Sequence, residues 1–212
     1  MKGITFGSYH SYDDFNLLLV SKEVGSPNVK VTEIEIPGAD GTLDLTDFFG
    51  EAKYDNLTHK FQFQTIVPQS NFLSLFSTIK NAIHGKKQRI ILDDDPSFYY
   101  VGRCFVSAFT NAKNIGTISI ECECDPWKYK LNQTVISREI VNSGTVILTN
   151  SRKRAVPSIT TTASMTISFG SGSWSVSAGT TTIPELELVE GSNTVTVTGT
   201  GTITFAYQEA GL

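Results

Sequence analysis

Val195-Thr196-Val197-Thr198-Gly199-Thr200-Gly201-Thr202-Ile203-Thr204-Phe205 decides the fold class of this chain. Apolar and hydroxyl side chains alternate strictly on both sides of a glycine-bounded turn, the period of a half-buried β-strand. A three-residue loop, Gly199 to Gly201, sets Val197 opposite Ile203 and Val195 opposite Phe205. A two-residue loop would set apolar residues against threonines, so the longer loop and a hairpin are expected. Upstream, Ile167 and Phe169 answer Val176 and Trp174 in a second expected hairpin, turning at Ser171-Gly172 or the four residues around it. Hairpins with one apolar face make an antiparallel β-sandwich.

Working outward, the composition changes between residues 130 and 140. The first 130 residues hold 29 charged side chains and the last 82 hold 9. The later part is rich in Thr, Ser, Gly and Val instead. Two domains, 1–132 and 133–212, follow from that shift. In the first, Phe61 and Phe63 alternate with Gln62 and Gln64, and strand signals recur at Arg89–Leu92, Tyr99–Phe109 and Ile115–Cys124. Val29-Val31 and Ile34-Ile36 are out of phase, which predicts a β-bulge in one strand. Only Ser70–His84 breaks the β pattern. Phe72, Leu75, Phe76, Ile79 and Ile83 fall at helical spacing, with Ser70 as expected N-cap and Gly85 as C′ residue. The expected architecture is mainly β: an N-terminal β-sandwich-like domain with one α-helix, and a C-terminal antiparallel β-sandwich.

A net charge of −4 argues against a nucleic-acid binder, and no apolar run approaches membrane-spanning length. With no leader segment in view, synthesis and folding in a cytoplasm are expected. Three cysteines give no disulfide framework; Cys122 and Cys124 share a strand face with Ile118 and Ile120 and read as reduced core. Glu121, Glu123 and Asp125 fall on the opposite face, where a glycosidase could place an acid and a nucleophile. A wet sheet face explains them more simply. Asp40–Asp47 lacks the ligand spacing of a calcium loop, and Asp93-Asp94-Asp95-Pro96 reads as an acidic turn. No phosphate-binding loop, serine elbow or zinc-spaced histidine pair appears. The residues therefore point to no enzyme, cofactor or metal.

Several stretches, in order, resemble the siphophage distal tail (Dit) proteins: Gly3 to Phe15; Ile36 to Thr46 followed by Tyr54-Asp55-Asn56; Asp94 to Arg103; Cys124 to Tyr129; and Ile183 to Leu186, Gly191 to Asn193 and the last hairpin. The resemblance implies a galectin-like C-terminal domain and a structural hub in a phage or prophage tail tip. It implies a homohexameric ring, single or as two stacked rings, built by the N-terminal domains around a central DNA channel. The partners implied are the major tail tube protein, the tail-associated tip protein and a receptor-binding protein, with no specific nucleic-acid binding and no membrane. The implied location is the virion tail, after synthesis in the host bacterial cytoplasm. Asp40, Gly41, Asp93, Asp94 and Asp95 are the expected interface or channel-lining residues; acidic loops repeated around an axis would repel DNA phosphate and let it slide. The rival reading is a carbohydrate-binding adhesion module using the C-terminal sandwich, with Trp174 as its candidate platform.

Overall fold

The computed structural model describes residues 2–48, 50–65, 67–112 and 115–212. It is mainly β and divides into two compact units, residues 1–127 and 128–211.

The first unit contains β1 (Ile4–Phe6), β2 (Tyr9–His10), β3 (Leu17–Glu23), β4 (Glu33–Glu35), β5 (Thr42–Asp44), β6 (Leu57–Thr65), the helix α1 (Phe72–Ile83), β7 (Lys87–Leu92), β8 (Phe98–Ala112) and β9 (Ile115–Cys124). All but β4 and β5 join one antiparallel sheet in the order β2-β1-β7-β8-β9-β6-β3. The alternation in β6 and β9 sends His59, Phe61 and Phe63, with Ile118, Ile120, Cys122 and Cys124, to one buried face. Between Val106 and Ala108 the β8 register slips, making Ser107 an extra residue. That bulge flips the phase of the strand, so Phe109 turns to the helix side and meets Phe72 and Phe76. Ile79 and Ile83 of α1 are fully buried in the same core.

Two local expectations change here. Ser70 is not the N-cap: it lies in a 3-10 turn, Gln69–Asn71, and Asn71 precedes the α-helix without a side-chain cap bond. Gly85 does follow the helix in the left-handed region (φ +76°). The bulge expected within Val29–Ile36 is absent, because no strand runs through it. Val29 makes an isolated bridge to Tyr54, and Ile34 belongs to β4, which among the described residues pairs only with β5. The change of phase marks a break between two short ladders, not an inserted residue.

The second unit contains β10 (Lys128–Lys130), β11 (Thr134–Ile140), β12 (Ser143–Asn150), β13 (Ser158–Thr161), β14 (Met165–Phe169), β15 (Gly172–Val176), β16 (Gly179–Thr182), β17 (Gly191–Thr198), β18 (Gly201–Tyr207) and β19 (Ala210–Gly211). Two antiparallel sheets, β11-β18-β13-β16 and β12-β17-β14-β15, enclose one apolar core, as a sandwich requires.

The expected 195–205 hairpin does not form. β17 and β18 lie in different sheets: Val195 and Val197 register with Val146 and Gly144 of β12, whereas Ile203 and Phe205 register with Arg138 and Ile136 of β11. Alternation fixes which side chains are dry; it does not say whether the dry rows sit side by side or face to face. Here they face each other through the core. Gly199 (φ +138°) and Gly201 (φ +146°) make a corner that crosses between sheets. A second crossing, from β11 to β12, braces it: Gly199 N–H donates to the Asn142 carbonyl (2.9 Å), and Asn142 N–H donates to Thr200 Oγ1 (3.2 Å). The β14–β15 hairpin does form, but two residues out of the expected register. Ile167 faces Trp174 and Phe169 faces Gly172 across a Gly170-Ser171 turn. A shift of two keeps every side chain on its face, so the pattern could not distinguish the registers.

Candidate interaction surfaces

The acidic turn Asp93–Asp95 joins β7 to β8. Its charges are partly answered within the chain. The Asp93 carboxylate accepts from Gly3 N–H (2.6 Å) and faces His10 Nε2 (3.0 Å). Asp94 pairs with Lys22, and that hydrogen bond holds its carboxyl below the ordinary carboxylate range. Asp95 anchors the turn through its backbone, donating to the Leu92 carbonyl and accepting from Phe98 N–H. The turn is thus as much a clasp between β1, β3 and β7 as an exposed acidic loop.

Asp40 and Gly41 lie elsewhere, in the β4–β5 hairpin. Gly41 (φ +76°) and Gly38 (φ +83°) supply the left-handed residues its turn needs. Downstream, the Thr46 hydroxyl and, after it, the Thr46 N–H (2.8 Å) hydrogen-bond the Asp44 carboxylate and lower its pKa. Ile34 sits directly across from Leu43, and alternation puts Ile36 on their side. The other face is polar, with Thr42 donating to Glu33 (3.0 Å). Its base is tied down where Lys30 N–H donates to the Lys53 carbonyl and Asp55 N–H to the Asn28 carbonyl. Ile34, Ile36 and Leu43 remain 47–49% exposed, and no residue from 28 to 44 is buried. The hairpin is amphipathic, and its apolar face is uncovered. Composition did not single out this face, because Ile34 and Leu43 meet only through the turn.

The carboxylates weighed for glycoside chemistry do not form a site. Glu123 accepts from Asn56 (3.2 Å), Asp125 pairs with Lys87 (2.9 Å), and Glu121 borders an open depression of about 150 Å³, against the roughly 300 Å³ or more of a small-molecule cleft. Trp174 packs against the second core and lies over Gly172, so little of its indole is free to stack on a sugar.

The cysteines are buried and free, and one unforeseen neighbour joins them. His59, Cys122 and Cys104 occupy one row across β6, β9 and β8. His59 Nδ1 accepts from Gly25 N–H (3.2 Å), while its buried Nε2 has no hydrogen-bond partner among the described residues and the ring stands edge-on to Tyr100 (4.3 Å between centroids). Burial pulls the imidazole pKa down to about 4 and pushes the Cys124 thiol up to about 12. Cys122 is driven up as well, again chiefly by burial. Neutral imidazole beside the protonated Cys122 thiol gives this row an apolar character.

In the second unit the buried carboxylate of Glu209 receives Lys130 (2.5 Å), Thr134 and Ser151 (2.7 Å). Burial alone would raise its pKa; these donors outweigh it and hold it low. They tie β10, β11 and the residue after β12 to the end of the chain.

No family model matches the chain, and no curated protein matches it in sequence. A solved structure matches it in fold. The chain superposes on SPP1 Dit (gp 19.1), described as a paradigm of the hub adsorption apparatus in phages that infect Gram-positive bacteria, with a TM-score of 0.73 over 98% of this chain and 99% of that one. This chain has the Dit fold. Identity is 13%, so the likeness is one of architecture. The resemblance carried by the short motifs is met by the fold, and the two chains are matched in extent.

Proposed function

We propose that this chain is a structural hub of a bacteriophage or prophage tail tip, a homohexameric ring that joins the tail tube to the tip and baseplate proteins around a DNA channel. The observation that carries the reading, beyond the Dit fold, is the β4–β5 hairpin. A two-stranded hairpin is marginal in water on its own. This one turns a row of three aliphatic side chains outward, and they need a dry surface. A neighbouring copy supplies it. Head-to-tail repetition of one such contact closes into a ring when the rotation per copy divides the circle. Asp40 and Gly41 at the hairpin turn then belong to the subunit interface. Asp93 to Asp95 would line the channel, where residual negative charge keeps DNA from adhering. The N-terminal domain forms the ring, and the galectin-like C-terminal domain carries contacts to receptor-binding or other tail proteins. The role requires no catalysis.

Native mass spectrometry of the purified chain tests this. The expected particle is a hexamer, or two stacked rings, that an Ile34→Ser, Leu43→Ser double variant breaks into folded species smaller than a ring. A wild-type chain that stays monomeric at high concentration, or a double variant that keeps the full mass, overturns it.

A further inference from the structure

Among the described residues, the end strands of the three larger sheets are guarded, with one exception. β3 carries a register shift between Leu19 and Ser21, and ends in Lys22 and Glu23. β11 carries Arg138 and Glu139. β2, β15 and β16 are short, at two, five and four residues. These are the ordinary devices that stop one sheet edge from pairing with another. β12 has none of them. Ser143 to Asn150 are eight residues without charge, proline or register shift, paired to β17 on one side and to no other strand among the described residues. At its centre Ile147 is 60% exposed.

We infer that β12 is a homotypic docking edge, on which β12 of a second copy pairs antiparallel about a two-fold axis through Ile147. The strand's own sequence argues for that occupant. Centred on Ile147, the pairing sets Ile147 against Ile147, Thr145 against Thr149, and Val146 against Leu148. Val146 and Leu148 are the buried apolar residues of β12, so the two apolar cores continue into one another. The outward face matches threonine to threonine and covers the exposed isoleucine with its own symmetry mate. Centring on Val146 instead would oppose Thr145 to Ile147 and Gly144 to Leu148. A half-step would set buried residues against outward ones. One register satisfies both faces. The contact is isologous, so it closes after two copies and does not propagate as a fibre. One end of the edge is partly occupied already: the Thr149 carbonyl accepts from the Tyr207 hydroxyl (2.6 Å), leaving that oxygen a second lone pair for the partner strand.

Cysteine trapping on the whole chain tests the register, since the native cysteines are all buried. Under mild oxidation Ile147→Cys should yield covalent pairs at least about tenfold faster than Thr194→Cys, which lies beside it on the same face but one strand further in. Thr145→Cys should not link to itself, yet should link when mixed with Thr149→Cys. By light scattering, Ile147→Lys should weaken two-copy association roughly tenfold or more, because it sets two like charges directly opposite. Equal trapping of Ile147→Cys and Thr194→Cys, or an unchanged association of Ile147→Lys, would overturn the inference. The inference does not rest on the ring. Loss of the hexamer in the hairpin double variant with intact Ile147→Cys pairs would separate the two contacts.

Discussion

Strand β6 and the β4–β5 hairpin use the same alternation and meet opposite fates. In β6, His59, Phe61 and Phe63 are buried, the two phenylalanines within the first apolar core. In the hairpin, Ile34, Ile36 and Leu43 stay half exposed on a two-stranded ribbon. Alternation therefore reports that a strand has a dry side; it does not report that the same chain supplies the cover. β6 finds its cover in its own unit, where Phe6 stands edge-on to Phe61 and Phe63, whereas the described residues leave the hairpin's apolar face open.

Substitution at matched positions should separate the two fates. The largest effect is expected at Phe63, which is fully buried: Phe63→Ala should cost about 3–5 kcal/mol of stability by denaturant titration. A cost below 1 kcal/mol would mean that the β6 core is not tightly packed. His59 should give the next largest effect, and a pH-dependent one. Its folded pKa of about 4 lies below the ordinary 6.5, so the unfolded chain binds more protons between those values. The stability this group contributes is present above 6.5 and is lost as pH falls towards 4, by about 3 kcal/mol at most. His59→Phe should flatten that part of a stability-versus-pH curve; an unchanged slope would place the titration in other groups.

Smaller effects are expected in the second unit. Gly201→Ala puts a Cβ in the left-handed corner 2.7 Å from Thr162 Oγ1 and should cost about 1–3 kcal/mol by thermal unfolding. Glu209→Gln removes the charge that three donors converge on and should cost about 1–2 kcal/mol. Because its folded pKa is lowered, that contribution is present above the ordinary carboxylate range and lost as pH falls through and below it. The smallest effect on folding is the one that sharpens the contrast. Ile34→Ser should change monomer stability by less than about 0.5 kcal/mol, because water already reaches the side chain. A loss comparable to Phe63→Ala would show that the hairpin is covered by its own chain.

Much of the fold was legible because alternation and helical spacing are local signals. The β9 segment Ile115–Cys124, the wet-face carboxylates beside Cys122 and Cys124, and the helix centred on Phe76 could be read without a structure. What could not be read depended on which rows become neighbours. Val195-Val197 and Ile203-Phe205 looked like hairpin partners and are instead the two walls of the sandwich. Gly199 and Gly201 permit either a turn or a corner, and the sheet-crossing path of β11 to β12 selects the corner. His59 beside Cys122 follows from the β6–β9 register, 63 residues apart in the chain. The acidic run Asp93–Asp95 was legible as a turn, but its pairing with His10 and Lys22 was not, since those partners arrive from β2 and β3.

Taken alone, then, the sequence determined that this protein is built of strands with one wet and one dry side, plus a single helix. Side-chain period is written residue by residue, so it needs no fold to be read. The tertiary structure decided which dry sides meet inside the chain and which remain open. That choice depends on contacts between distant residues, for which local periodicity carries no information. The uncovered hairpin face and the unguarded β12 edge are visible only there.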